Sequence, residues 1–455
     1  VIRVVNMIPP SLSGESGQDS EPNLAVNPEK PTDMVATAFT PAPLGGLLAP
    51  IYVSTDAGST WSLRNVLPEN GKFGTSDITV GFATTGGMLY AGILAGTSTR
   101  LKILRTSSFA STTPMTVLVD RPDDDQPWVV AGSVMASGTS RDRVYVGSND
   151  FGTGTSATAT VDLSTDARSG APPSGFTVAR LERRPTGGQD GPPVRCALHA
   201  GGTVYAAFQR WVTVNVADIR LDVVVTRDDD WGMGPNPFSA LVDGADGLAG
   251  QRVATDRFVR FNDTMGQERL GSDLTIAVDP DDARTVYVAW CDRVGGPSAT
   301  DWTLHVRRST DAGQTWSNDL RTITNVKNPA LAVDAGRRVG LAYQQFTGTR
   351  WATTLEVTAD AWATAPTTVA LHSAPSNTPV RTFFPYLGDY IRLLAVGADF
   401  YGVFCANNTP DAANFPNGVT YQRAADWTAR TLLGTDRVTR VPVSIDPFFF
   451  HWSDG

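Results

Sequence analysis

One eight-residue word is written twice in this chain, as Ser54-Thr55-Asp56-Ala57-Gly58-Ser59-Thr60-Trp61 and as Ser309-Thr310-Asp311-Ala312-Gly313-Gln314-Thr315-Trp316. The shared pattern is Ser-x-Asp-x-Gly-x-Thr-Trp. Ser and Asp side chains bond backbone N–H groups inside a tight turn, and Gly takes a positive φ there at no steric cost. The Trp then buries a large ring that pins the turn to a core. Each copy follows a strand-like run, Ala49–Val53 in one case and Leu304–Arg307 in the other. Two near-identical copies about 255 residues apart call for a fold that reuses one hairpin.

A second pattern recurs more often. A polar or acidic residue, often with Pro beside it, opens an apolar strand; a short turn and a strand rich in Val, Tyr and Ala follow. It reads Glu21–Val26 with Met34–Phe39, Asp273–Val278 with Val286–Trp290, and Asn328–Val333 with Val339–Tyr343. Looser copies begin at Asp77, Asp125, Pro193 and Ile391, which makes seven. Successive starts lie 48 to 80 residues apart, and a four-stranded propeller blade takes roughly 40–50 residues plus loops. Each interval therefore holds one blade. Turn signals between short apolar runs, with no sustained helical period, leave little room for helix. The expected fold is all-β, a single seven-bladed β-propeller over residues 1–455, with six blades as the alternative if the Pro193 copy is spurious. The strand-like segments Val1–Asn6 and Val441–Trp452 are left over, and one terminus is expected to supply a strand to the blade begun by the other.

The net charge of −9 and the lack of a basic stripe argue against a nucleic-acid partner. No apolar run approaches the ~20 residues that span a bilayer, so no membrane insertion is expected. The three cysteines, Cys196, Cys291 and Cys405, are too far apart for a disulfide framework or a zinc motif and are read as buried free thiols. His199, His305, His372 and His451 are dispersed and form no metal triad. The runs Asp123–Asp125 and Asp228–Asp230 offer hard oxygen ligands to calcium, but read more simply as solvated turns. No metal or other cofactor is expected, a structural calcium at these runs being the one alternative, and the chain is expected to be a monomer.

The repeated word resembles the Asp-box (BNR repeat) of sialidase-like β-propellers, and a degenerate copy stands at Ser164-Thr165-Asp166-Ala167. The repeats, with the segment Phe384-Pro385-Tyr386-Leu387-Gly388-Asp389-Tyr390, look like those of secreted bacterial proteins with sialidase-type repeats. The resemblance implies an exported or cell-surface protein that works on carbohydrate; the start at Val1 without Met fits removal of a leader. In true sialidases the first substrate-gripping Arg sits in an Arg-Ile-Pro word ahead of the first box. No such word precedes Ser54, and the nearest text, Arg440-Val441-Pro442, lies at the other end of the chain, so authentic sialidase activity is not expected.

Propeller geometry sorts the remaining candidates. The Asp-boxes join third and fourth strands and so lie opposite the inner-strand starts; Ser54, Asp56, Gly58, Trp61, Ser309, Asp311, Gly313 and Trp316 are read as structural. The rim where inner strands begin gathers Glu21, Asp77, Asp125 and Asp273, with Glu268 in a loop feeding it; these are the candidate acid/base carboxyls. Arg210, Arg269, Arg293 and Arg392 offer forks for an acidic sugar, while Trp211, Tyr386 and Tyr390 offer ring faces and Asp292 and Asp389 further polar groups. No two blades carry the same polar set, which favours one asymmetric site. The expected function is a glycoside hydrolase or polysaccharide lyase acting on an acidic glycan. The alternative is a glycan-binding lectin or a protein-interaction scaffold.

Overall fold

The computed structural model describes residues 1–39, 50–65, 75–95, 100–152, 158–169, 175–187, 194–215, 218–260, 273–298, 302–379 and 387–454. Among these residues there is no α-helix, only a short 3-10 turn at Pro10–Leu12. The strands form seven four-stranded antiparallel sheets and one three-stranded sheet.

The first strands of the seven sheets are Ser20–Val26, Thr75–Phe82, Asp124–Ala136, Arg195–Leu198, Leu274–Val278, Val326–Val333 and Arg392–Val396. Six sheets add their strands in chain order, each beside the last. The seventh continues through Asp399–Asn407 and Ile445–Trp452, and its fourth strand is the N-terminal Ile2–Asn6, in register from Ile2 opposite Trp452 to Asn6 opposite Phe448. The termini thus complete one sheet together, as the leftover segments led us to expect. The small sheet of Ala424–Asp426, Thr431–Leu433 and Arg440–Val441 is an insertion ahead of the seventh sheet's third strand.

Between each sheet and the next lies a separate apolar core. Trp211, Trp290 and Trp302 fill the space between the fourth and fifth sheets, while Phe400, Phe404, Phe448 and Phe450 fill that between the sixth and seventh. The cycle closes where Val5, Tyr401 and Phe449 of the seventh sheet meet Leu24, Met34 and Trp61 of the first. Alternating side chains with a short period put apolar groups on both faces of every sheet, so each sheet is sandwiched by its neighbours. All three cysteines are buried and none is in a disulfide.

Both repeated words fold into the same turn. The Ser54 hydroxyl accepts the Gly58 N–H (2.9 Å), and the Asp56 carboxylate accepts the Thr60 N–H and hydroxyl (2.9 and 2.6 Å). The second copy repeats this with Ser309, Gly313, Asp311 and Thr315 at 2.8, 2.9 and 2.6 Å. Gly58 and Gly313 have φ of +78° and +86°, which a side chain would strain. The Ala57 N–H bonds Thr32 O and the Ala312 N–H bonds Arg284 O, so each turn leans on the hairpin that follows its sheet's first strand. The Asp-boxes therefore lie at the end opposite the inner-strand starts.

Two further turns use the same logic without the word. Thr358 replaces the Ser, accepting the Trp362 N–H, and Asp360 accepts the Thr364 hydroxyl; Trp362 holds the Gly position at φ +64°. In the fourth sheet Asp228 accepts N–H groups of Asp230, Gly232 and Phe238, so the Asp228–Asp230 run caps a turn. In the other acidic run, Asp124 is buried and ion-paired to Arg121.

Candidate functional site

Four inner strands share a defect where they begin. The register with the second strand shifts between Ser20 and Asn23, Thr75 and Ile78, Asp125 and Trp128, and Lys327 and Ala330. Glu21, Asp77, Gln126 and Asn328 lie inside these bulges, and Glu21, Gln126 and Asn328 take φ of 52°, 53° and 52°. A bulge re-aims a side chain that a regular strand would point at a neighbouring sheet, and positive φ on non-glycine residues is a strain that packing must hold. Gly388, at φ +91°, packs so closely that a Cβ there would stand 2.4 Å from the Glu21 nitrogen, and its carbonyl accepts the Asn328 side chain at 3.0 Å.

These devices gather one buried polar layer from distant parts of the chain. The Tyr390 hydroxyl donates to Asp77 at 3.1 Å. Arg195 donates to Asp273 at 2.9 Å and to Leu274 O at 3.1 Å. Its guanidinium lies 3.3 Å from the Trp128 ring centre and 5.1 Å from that of Tyr390, and the two rings meet edge to face at 5.3 Å. Arg392 reaches the same indole at 4.5 Å. Glu21, Asp77, Asp273, Asp389, Tyr390 and Arg195 are all buried.

Burial sets the acid–base character of the layer. Desolvation pushes the Asp273 carboxyl up to about 7, against the pull of Arg195 and the Leu274 N–H, with the Asp389 charge adding to the rise. Tyr390 is driven well above the ordinary phenol range, first by burial and then by Asp77 and Glu21, so it remains a protonated donor. Burial lowers both arginines, and Arg392, with Arg195 beside it, comes down to about 9.

The other expected site residues have different fates. Trp211 is 5% exposed within an apolar core, so its ring faces are not offered to a ligand. Asp292 is fully buried and accepts from Trp290 Nε1 (2.7 Å) while His305 bridges it to Asp319, so it belongs to an internal ion network. Arg210 is tied to Asp222 and to Pro185 O. Arg293 is buried over Trp302 and donates to Pro297 O. Asp125 is half-buried and accepts the Gln126 N–H. Glu268, Arg269 and Tyr386 lie outside the described residues.

Arg195, Trp128 and Gln126 were not among the candidates. Arg195 stands two residues past Pro193 and Trp128 three past Asp125, so each belongs to a repeat start already recognised. A signal was present in that position, but the partner of each lies on another sheet.

No protein-family model and no curated protein matches this sequence. Solved structures do resemble it, and the three that follow are β-propellers. An alpha-L-arabinanase of Penicillium chrysogenum complexed with arabinobiose shares 13% identity over 98% of this chain and 97% of its own, with a TM-score of 0.45. An ulvan lyase of a polysaccharide-lyase family shares 9% over 88% and 93%, also at 0.45. A sialidase variant of Streptococcus pneumoniae shares 10% over 88% and 67%, at 0.39.

Proposed function

We propose that the chain is a single seven-bladed β-propeller domain that acts on an anionic glycan at the inner-strand end of its axis, as an exported glycoside hydrolase or polysaccharide lyase. The observation that carries this reading is the convergence of Asp77, Asp273 and Glu21 with Tyr390 and Arg195 in one layer. A carboxyl near 7 holds its proton around neutral pH and can deliver it to a leaving oxygen, the task of a general acid. The Tyr390–Asp77 pair supplies a hydroxyl already bonded to a base. Arg195 holds Asp273 in place.

The test is a screen of polysaccharides and sialyl glycosides by product analysis and by binding, followed by Asp77→Asn and Asp273→Asn. The reading expects a loss of at least about a hundredfold in rate from each amide, with thermal stability nearly unchanged. Full activity in both variants contradicts it. Binding with no turnover in the unmodified protein would instead favour a lectin.

A further inference from the structure

The geometry points to a second binding site, on the Asp-box side of the ring, for an unbranched alkyl carboxylate whose head group meets Arg392. This inference does not rest on the glycan reading.

A cavity of about 590 Å³ runs along the axis from the Asp-box end. It opens among turn residues that follow inner strands, Pro28 and Pro280 among them, and its walls include Val26, Val80, Val278, Val333 and Leu394. At its inner end it continues into a narrower space of about 190 Å³ floored by Trp128, Arg195, Asp273 and Arg392. Arg392 borders both spaces.

The charges on that floor do not balance. Arg195 has Asp273 as a hydrogen-bond acceptor at 2.9 Å. Arg392 is half-buried and its Nε is shut off from solvent without a hydrogen bond. Among the described residues it has no ion pair; it lies over the Trp128 ring at 4.5 Å, with Arg195 beside it. A cation that has no counter-ion among the described residues, at the inner end of a cavity walled largely by aliphatic side chains, matches an anion that carries an apolar chain. A guanidinium binds carboxylate by two parallel hydrogen bonds, and the shaft rewards the chain by burial. Thr84, Ser133 and His199 also line the cavity. The preference for an alkyl chain over a sugar therefore rests on the aliphatic side chains common to both spaces, Val130, Leu198, Val278, Leu394 and Ala395, against which sugar hydroxyls would lose water without new partners.

Isothermal titration of the intact protein with acetate, hexanoate, octanoate, decanoate and decanol tests this. Affinity is expected to rise about fourfold per methylene along the carboxylates, the factor that ~0.8 kcal/mol of burial gives. Decanol is expected to bind at least about tenfold more weakly than decanoate, and Arg392→Gln to lose at least about tenfold for decanoate. No rise with chain length, decanol binding as tightly as decanoate, or no binding at millimolar concentration each overturns the proposal. Two of the three criteria are read on the unmodified protein, so a poorly folded variant cannot rescue it.

Discussion

Asp273 and Asp311 belong to the same four-stranded sheet, one before its first strand and the other in the turn between its third and fourth. Their environments are opposite. Asp311 feels some burial, but hydrogen bonds from Thr315 and Ser309 outweigh it and hold the carboxyl down to about 2. Asp273 is fully enclosed, and Arg195 with one backbone N–H does not offset the lost water, so it rises to about 7. A carboxylate that holds a turn is surrounded by donors. One left short of donors in a buried layer keeps a proton up to about neutral pH, the property that the proposed function uses. Under the proposed function, the two ends of one sheet separate folding from chemistry.

The largest stability effect should come from the Asp-box end. Trp61 is 3% exposed, packs on Phe449 at 5.4 Å and bonds Gly58 O through its indole N–H. Trp61→Ala should cost about 3–5 kcal/mol in urea denaturation, with glycan affinity of the folded protein unchanged. A variant of normal stability would break the assignment of this end to folding.

Next is a pH effect from the other end. Asp273 binds more protons folded than unfolded, so its contribution is full below its ordinary value of 3.8 and is lost as pH rises through about 7. Glu15, raised to about 7 by burial and the Asp446 charge, adds to the same decline. His305 is also raised: burial opposes its charge, but Asp292 and Asp319 prevail, and its contribution is lost above its ordinary 6.5. His372, lowered to about 3 by burial, acts in the opposite sense below its ordinary 6.5, but it is one group against several raised carboxyls. Denaturation measured from pH 4 to 8 should therefore show falling stability, with a shallower fall in Asp273→Asn. An unchanged slope in that variant would mean Asp273 is not raised.

Trp316 carries the same hydrogen bond to its glycine carbonyl but is only half-buried. Trp316→Ala should cost about half as much as Trp61→Ala, since the loss scales with area removed from water. Equal losses would show that the motif, and not its burial, sets the stability. Smallest of all is Asp311. Its carboxyl is lowered, so its contribution is present above 3.8 and disappears as pH falls through about 2. Asp311→Asn should flatten only that acid limb, in the direction opposite to Asp273.

What the sequence made legible was whatever repeats. The paired-strand word located all seven first strands, and the leftover termini signalled the shared seventh sheet. Glu21, Asp77 and Asp273 could be placed because each opens a repeat. The bulges could not be read, since positive φ at Glu21, Gln126 and Asn328 is imposed by packing and has no glycine to announce it. Nor could the pairing of Arg195 with Asp273, 78 residues away on the next sheet, because it depends on how neighbouring sheets pack. The Thr358 turn escaped notice for a local reason: Trp362 occupies the position where the word has glycine.

The separation of folding from chemistry is the central claim, and one paired measurement bears on it directly. Once a glycan is turned over, rate and melting temperature should be recorded for Asp273→Asn and Asp311→Asn under the same conditions, at a pH near 6. The account predicts a rate lower by at least about a hundredfold with little change in melting temperature for the first, and an unchanged rate in the folded fraction for the second. Loss of rate in Asp311→Asn with full rate in Asp273→Asn would place the chemistry at the opposite end of the sheet and contradict the account.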